Sequence, residues 1–457
     1  MTAPETTGGG IAALDGTTLG IETALPFAGL LLSLAFLPLV ATHFWHRNYG
    51  KVVAAWAALG LVLIIDAQGF HVALHELLHV ALLDYIPFII LLVTLYTITG
   101  GIRISGRMSG TPFSNTLTLG TGTVLAGFMG TTGASMLLVR PMLQANAHRQ
   151  HKKHVFIFLI FLVANIGGAM SPLGDPPLFL GFLKGVDFFW PTIHLALPTL
   201  ICSVILLSVF YLLDRVHYDR EPRRESETFV VGGRLEIRGW LNLLLLGLLI
   251  LAVILSGKYQ DAGAISIAGI PVGIAGLLRD AVLIGLCAAS LWLTEPGVRA
   301  YNSFEWGPMI EVALVFAAIF VTIVAPLAIL RAGQDGALAG LLTVLDDGTL
   351  PGSAAYFWMT GVLSAFLDNA PTYLAFFNAA GGDAKELMGP LAKTLGAISA
   401  GAVYMGAMSY IGNAPNFMVR SVVASQGVAM PSFFGYMGWS CLFLLPVFVL
   451  VTVLFYT

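Results

Sequence analysis

Long apolar runs separated by short polar stretches dominate this chain. Uninterrupted runs near 24–45, 51–67, 85–101, 191–213, 239–255, 271–293, 307–330 and 432–456 are each long enough to cross a hydrocarbon core as a helix. Two more, 154–186 and 391–427, are longer and are broken in the middle by Gly, Pro, Asp or Asn. Two others, 113–145 and 354–381, carry "FMGTTGASML" and "FLDNAPTYL" at their centres. The spacing predicts these as helical hairpins that re-enter from one side, with the polar stretches as their tips. The pattern therefore predicts an all-α polytopic membrane protein with about ten spans, two re-entrant hairpins and two broken helices.

Composition agrees with that reading. Hydrophobic residues make up 57% of the 457 positions and charged residues only 10%, against about 25% charged in soluble domains. Such a chain cannot clothe its own surface with polar groups, so the lipid bilayer is its expected partner. A net charge of −3 offers nothing to nucleic acid. Cys202, Cys287 and Cys441 are scattered through apolar runs without disulfide or metal spacing. The N-terminal stretch "MTAPETTGGGIAALDGTTLG" lacks a basic region followed by an apolar one, so no cleaved signal peptide is expected.

Basic residues set an expected topology. Arg47 and Lys51 flank the first loop. Arg103, Arg107, Arg140, Arg149, Lys152 and Lys153 flank the first hairpin, and the linker 214–240 adds six arginines. Placing all of these inside satisfies the positive-inside rule and puts both termini outside. Counting spans then divides the chain into an N-terminal part (1–84), a first unit (85–213), a linker with two connecting spans (214–306) and a second unit (307–457). Each unit reads as span, hairpin, broken helix, span. The second enters the membrane from the side opposite to the first, which makes an inverted repeat.

The two broken helices carry related motifs, "GAMSPLGDPP" from Gly168 to Pro177 and "GAMSYIGNAP" from Gly406 to Pro415. The hairpin tips support the pairing: Thr132 and Asp368 are separated by nearly the same length of chain as Gly168 and Gly406. In hydrocarbon every peptide group needs a partner, so an opened helix is tolerated only where it faces a cavity or a ligand. Pro172, Gly174, Pro176 and Pro177 open the first copy, and Gly412 and Pro415 the second. Paired broken helices meeting at mid-membrane are a secondary-transporter plan; two ligand-free proline kinks are the plainer alternative. The oxygen-bearing candidates are Ser171, Asp175, Ser409, Asn413 and Asn416 on the broken helices, and Thr131, Thr132, Ser135, Asp368, Asn369 and Thr372 at the tips. These suit an alkali cation or a hydrated substrate, with no resident cofactor. An intramembrane carboxylate is costly and by default functional. Burial disfavours the charged form of a carboxyl and a bound cation favours it, so Asp175 or Asp368 could exchange a proton for Na+. The bland alternative is that either Asp only caps a half-helix.

These elements, in this order, resemble the ion transporter superfamily over roughly residues 50–457. That group includes sodium/proton antiporters of the NhaD type, arsenite permeases, divalent anion/sodium symporters and citrate-transporter-like proteins. "TTGASMLLVRP" (131–141) and "SPLGDPPLFLGFLKGVDFFW" (171–190) are most similar to the NhaD-type and citrate-transporter-like branch. The resemblance implies a bacterial inner-membrane transporter with a dimerising scaffold, so a homodimer. It also implies a mobile transport domain and elevator-like alternating access. In the symporter branch, Ser-Asn-Thr tips hold Na+ and substrate carboxylates. Here the tips read Thr-Thr-Gly-Ala-Ser and Asp-Asn-Ala-Pro-Thr, and the added charge at Asp368 favours Na+/H+ exchange over cation-coupled transport of citrate or dicarboxylates.

Two further features need weighing. "HVALHELLH" (71–79) contains His75-Glu76-x-x-His79, a formal zinc-peptidase match. An interfacial helix ahead of the span at 85 accounts equally well for its four-residue histidine spacing. Arg279 and Asp280 are neighbours inside a span and are expected to point apart on a helix. The run "HRQHKKH" (148–154) reads as a solvated loop, with a pH-sensing role for its histidines as the alternative.

Overall fold

The computed structural model describes residues 14–105, 109–221, 236–340 and 352–457. Arg107 and the middle of the basic linker, with Arg223, Arg224 and Arg234, lie outside the described residues. Among the described residues, nine helices are long and apolar enough to cross a membrane, and strands are confined to two short antiparallel pairs. The fold is thus all-α and polytopic, as the apolar pattern predicts. The nine include Lys153–Met170 of the first broken helix but no part of the second, 391–427.

The helices run in chain order. α1 is Leu25–Val40 and α2 Thr42–Gln68. The expected loop at 46–50 is helical, and the chain instead turns at Ala41 (φ −134, ψ 52). α3 (Phe70–Val80) continues through one π turn at 81–85 into α4 (Ile86–Gly100). The separate interfacial helix expected at 71–79 is therefore the first part of one apolar segment, Phe70–Gly100. No proline or glycine falls between 71 and 85 to end it. The first hairpin is α5 (Pro112–Met129) and α6 (Thr131–Ala145). The first broken helix is α7 (Lys153–Leu162), a 3-10 turn at 166–170, and α8 (Pro176–Leu183). Then come α9 (Trp190–Asp219), α10 (Trp240–Lys258), α11 (Ile274–Leu293), α12 (Pro296–Tyr301), α13 (Gly307–Thr322) and α14 (Val324–Arg331). The second hairpin is α15 (Gly352–Leu367) and α16 (Asn369–Ala379), followed by the short α17 (Ala384–Met388). The second broken helix is α18 (Ala392–Met405), a 3-10 turn at 406–408, and α19 (Ala414–Ser425). α20 (Phe433–Val451) ends the chain with a final π turn.

Burial separates an inner set from an outer one. Every residue from His154 to Ala169 is buried, as is every residue from Leu395 to Tyr410. The broken helices thus sit in the protein interior, where their opened backbone has partners other than lipid. α9, α10 and α11 instead leave a band of exposed Leu, Ile and Val, including Ile193, Leu197, Leu244, Leu251, Val282 and Ile284. Apolar side chains in such a band need a hydrocarbon surround.

The loops group at two ends. Strands β1 (Arg103–Ser105) and β2 (Glu236–Arg238) pair antiparallel and tie the loop after α4 to the basic linker. Arg149 and Asp214 form a buried ion pair at the same end, and Gln144 Nε2 donates to Tyr301 Oη at 2.9 Å. The basic segments after α4, after α6 and after α9 therefore share one end, and Arg299, which donates to Thr97 O at 3.0 Å, joins them. At the other end Lys184 pairs with Asp84 at 2.7 Å, and Arg331 Nε donates to Asn378 Oδ1 at 2.7 Å. Arg279 and Asp280 do not point apart as expected: the guanidinium bends back and pairs with the neighbouring carboxylate at 2.8 Å. Both are screened from solvent, so they neutralise each other locally.

Candidate functional site

Each hairpin reverses at one residue with left-handed φ. In the first it is Gly130 (φ 80, ψ 146), and in the second Asp368 (φ 77, ψ 138). Gly130 and Asp368 have the same separation along the chain as Asp175 and Asn413 of the broken-helix motifs. The tips thus correspond as Thr131 with Asn369. The sequence had suggested a different register, with Thr132 opposite Asp368.

The prolines start helices as much as they stop them. Asp175 (φ −145, ψ 145) is extended, as a residue before proline tends to be, and Pro176 opens α8 at its first position. Asn413 (φ −154, ψ 137) has the same conformation ahead of α19, where Pro415 is second. Between the halves the backbone folds tightly. A Cβ on Gly174 would lie 2.2 Å from Gly168 O, and one on Gly412 would lie 2.6 Å from Gly406 O. Only glycine fits either place.

Matching hydrogen bonds pin each broken helix to the hairpin of its own half. Ser171 Oγ donates to Gly127 O and Ser409 Oγ to Ala365 O, both at 2.5 Å. The same oxygens accept from Leu173 N and Ile411 N, both at 3.1 Å. Ser171 and Ser409 therefore hold the backbone. Thr372 Oγ1 likewise returns to Asp368 O at 2.7 Å.

The halves meet at Asp175, which is 2% exposed. Its Oδ1 accepts from Thr131 Oγ1 at 2.8 Å and from Asn413 Nδ2 at 3.0 Å. Its Oδ2 accepts from Asn369 Nδ2. One carboxylate thus gathers a donor from the first tip, the second tip and the second broken helix. Asn369 stands at the tip position matching Thr131 and Asn413 at the motif position matching Asp175, so the two motifs differ in charge where they touch.

Behind Asp175 stands Asn165, which the sequence reading passed over. It is fully buried and donates to Asn416 Oδ1 at 2.7 Å and to Ile160 O at 2.8 Å. Its Oδ1 lies 3.2 Å from Asn413 Nδ2. Asn416 in turn donates to Gly406 O and Ser409 O, both at 2.8 Å. The available signal was an Asn embedded in "FLVANIGGAM", just ahead of the motif.

Two small cavities flank this cluster. One, about 60 Å³, is lined by Thr131, Thr132, Gly174, Asp175 and Pro176, among others. The other, about 50 Å³, is lined by Thr132, Pro176, Asp368, Asn369, Asn413 and Pro415, among others. Each has room for a few waters. Among the described residues no Lys, Arg or His lines either one. The N-terminal turns of α6, α8, α16 and α19 all border them, so four positive helix ends face two carboxylates. Asp368 lies at a cavity wall, where its Oδ1 caps α16 by accepting from Ala370 N at 3.1 Å. Ser135, one turn along α6, is fully buried with its hydroxyl unpaired.

In the zinc-peptidase match the His75 and His79 rings lie 6.4 Å apart and His75 Nδ1 is 3.7 Å from Glu76 Oε1; among the described residues no group of three or more His, Cys, Asp or Glu is placed to hold a metal. A family model described as "Putative citrate transport" matches residues 16–456. No curated protein matches the chain.

Proposed function

This chain belongs to the family described as "Putative citrate transport", and from that premise we propose that it exchanges Na+ for H+ across the bacterial inner membrane, with Asp175 as the carrier group. It is an integral membrane transporter, and the family implies transport without enzymatic turnover. The observation that carries the finer reading is the convergence of both tips and the second broken helix on Asp175, beside a cavity that no basic side chain of the described residues lines. The Asp175 carboxylate and the Thr131 hydroxyl offer hard oxygen ligands to Na+, the amide nitrogens of Asn369 and Asn413 orient that carboxylate, and in the ion's absence it can hold a proton. Cavities of about 50–60 Å³ fit a partly hydrated ion better than a tricarboxylate. Asp368 supplies the second negative charge along the route.

In this reading residues 85–213 and 307–457 are inverted copies, with 1–84 and 214–306 as the remaining parts. The first hairpin is tied at the basic end and the second at the Lys184 end, which supports opposed entry. The basic end faces the cytoplasm, both termini face outside, and a homodimeric scaffold allows elevator-type movement.

A second reading, cation-coupled transport of citrate or a dicarboxylate, is favoured by the four helix N-termini and by the family description. Dye-reported pH changes in proteoliposomes after a Na+ pulse separate the two. Proton flux without any organic anion supports exchange. Its absence across pH 6–9, together with Na+-dependent uptake of labelled citrate, replaces it with the second reading.

A further inference from the structure

The run "HRQHKKH" forms one wall of a cavity remote from Asp175. It holds about 380 Å³, several times either cavity at the central site, and lies at the basic end of the molecule. Gln150, His151, Lys152, Lys153 and His154 line it on one side with His217 of α9. Gly427, Val428, Ala429 and Trp439 close it on the other.

The wall is built, not merely solvated. Asp214 is fully buried and accepts from Arg149, from His154 Nε2 at 2.7 Å and from Asn115 Nδ2 at 3.0 Å. Asn115 and Asn146 exchange amide hydrogen bonds at 2.9 and 3.0 Å. His154 stacks on His217 with ring centroids 4.6 Å apart, and His151 meets His217 edge-on at 6.0 Å. The imidazole wall is thus fixed from behind.

Its charge is only partly offset. Asp214 is saturated by the groups behind the wall. Glu221 accepts from the backbone amides of Gln150 and His151 at 3.0 and 2.8 Å. Among the described residues no carboxylate lines the cavity. Lys152 Nζ uses two of its three donors on Asn146 O and Ala147 O, at 3.2 and 3.0 Å, and keeps one. Lys153 Nζ stands 6.0 Å from the Trp439 ring. Two ammonium groups and an imidazole pair facing an apolar wall with one indole match an oxyanion joined to a less polar body.

We propose that this cavity binds a phosphate-type oxyanion, held by Lys152 and Lys153 with His151 and His217 beside them. The oxyanion could come from an anionic lipid headgroup, which basic pockets between transmembrane helices accept, or from free phosphate.

Purified, delipidated protein in neutral detergent tests this by thermal unfolding at constant ionic strength. The additions are inorganic phosphate, phosphatidylglycerol, or phosphatidylcholine as the control. Stabilisation by phosphate identifies a free-anion site, and stabilisation by phosphatidylglycerol alone identifies a headgroup site. In the Lys152→Gln/Lys153→Gln variant the half-saturating concentration should rise about tenfold or more, as expected for lost charge-assisted bonds. Lys153→Gln alone alters an exposed side chain, and should show a smaller weakening in a protein that folds normally. No stabilisation by either addition, or the same stabilisation in both variants, overturns the proposal. Neither readout depends on which ion the central site carries.

Discussion

Asp368 occupies a backbone position that the first half gives to glycine. At φ 77 and ψ 138 it sits in a region costing a non-glycine residue about 1–3 kcal/mol. Its side chain recovers part of this by capping α16 through Ala370 N. Replacing Asp368 by Gly removes the strain and gives up only a few tenths of a kcal/mol of capping. The expected net effect is stabilisation by about 1–2 kcal/mol. Asp368→Ala keeps the strain and loses the cap, which costs about 1 kcal/mol. Thermal unfolding of the purified protein should therefore order the three as Gly above wild type above Ala. Proteoliposome exchange should run differently: if the carboxylate serves transport, both variants lose Na+-driven proton flux although one is the more stable. A glycine variant that unfolds no later than the alanine variant would refute the strain argument. Full exchange in the glycine variant would remove the Asp368 carboxylate from the mechanism.

Other outcomes follow from the same contacts. Asp175→Asn should abolish exchange while the protein still expresses and elutes as wild type, because Asn keeps the shape but can neither ionise nor carry the proton. Asn165→Leu should lower the unfolding midpoint by the equivalent of about 1–3 kcal/mol, since it takes the side-chain donor away from the buried Asn416 Oδ1 and from Ile160 O. Lys184→Met strips the partner from Asp84, which is 5% exposed. With the lysine partly open to solvent, a loss of about 1–3 kcal/mol is expected in the same unfolding assay, below the full cost of breaking a buried pair. Outside the membrane, burial pushes the Glu221 carboxyl up, but the amides of Gln150 and His151, aided by the charges of His151 and Arg149, outweigh it and hold it below the ordinary value. A lowered value means that its contribution is present at neutral pH and is lost as pH falls below the usual carboxylate range. Protease protection of the 145–153 loop should therefore fall in acid, and in Glu221→Gln that acid dependence should disappear.

How much of this was legible beforehand can be traced residue by residue. Apolar run length announced the spans, because hydrocarbon demands a minimum helix length and tolerates few charges. Gly and Pro inside long runs marked both broken helices and both tips, because opened backbone at membrane depth is rare enough to be informative. Asp175 stood out for the same reason. Charge spacing along the chain also grouped the basic loops that the fold brings to one end. The register of the second tip was not legible: only backbone geometry pairs Gly130 with Asp368, since a turn fixes φ and not residue identity. Nor did the motifs reveal that the hydroxyls of Ser171 and Ser409 are taken up by carbonyls, or that Asn165 backs the site. Those depend on which groups come within hydrogen-bonding reach between segments far apart in the chain. Local sequence determines where a helix opens and what it costs. Tertiary packing alone decides which donor answers each freed acceptor, and so which carboxylate ends up at the centre.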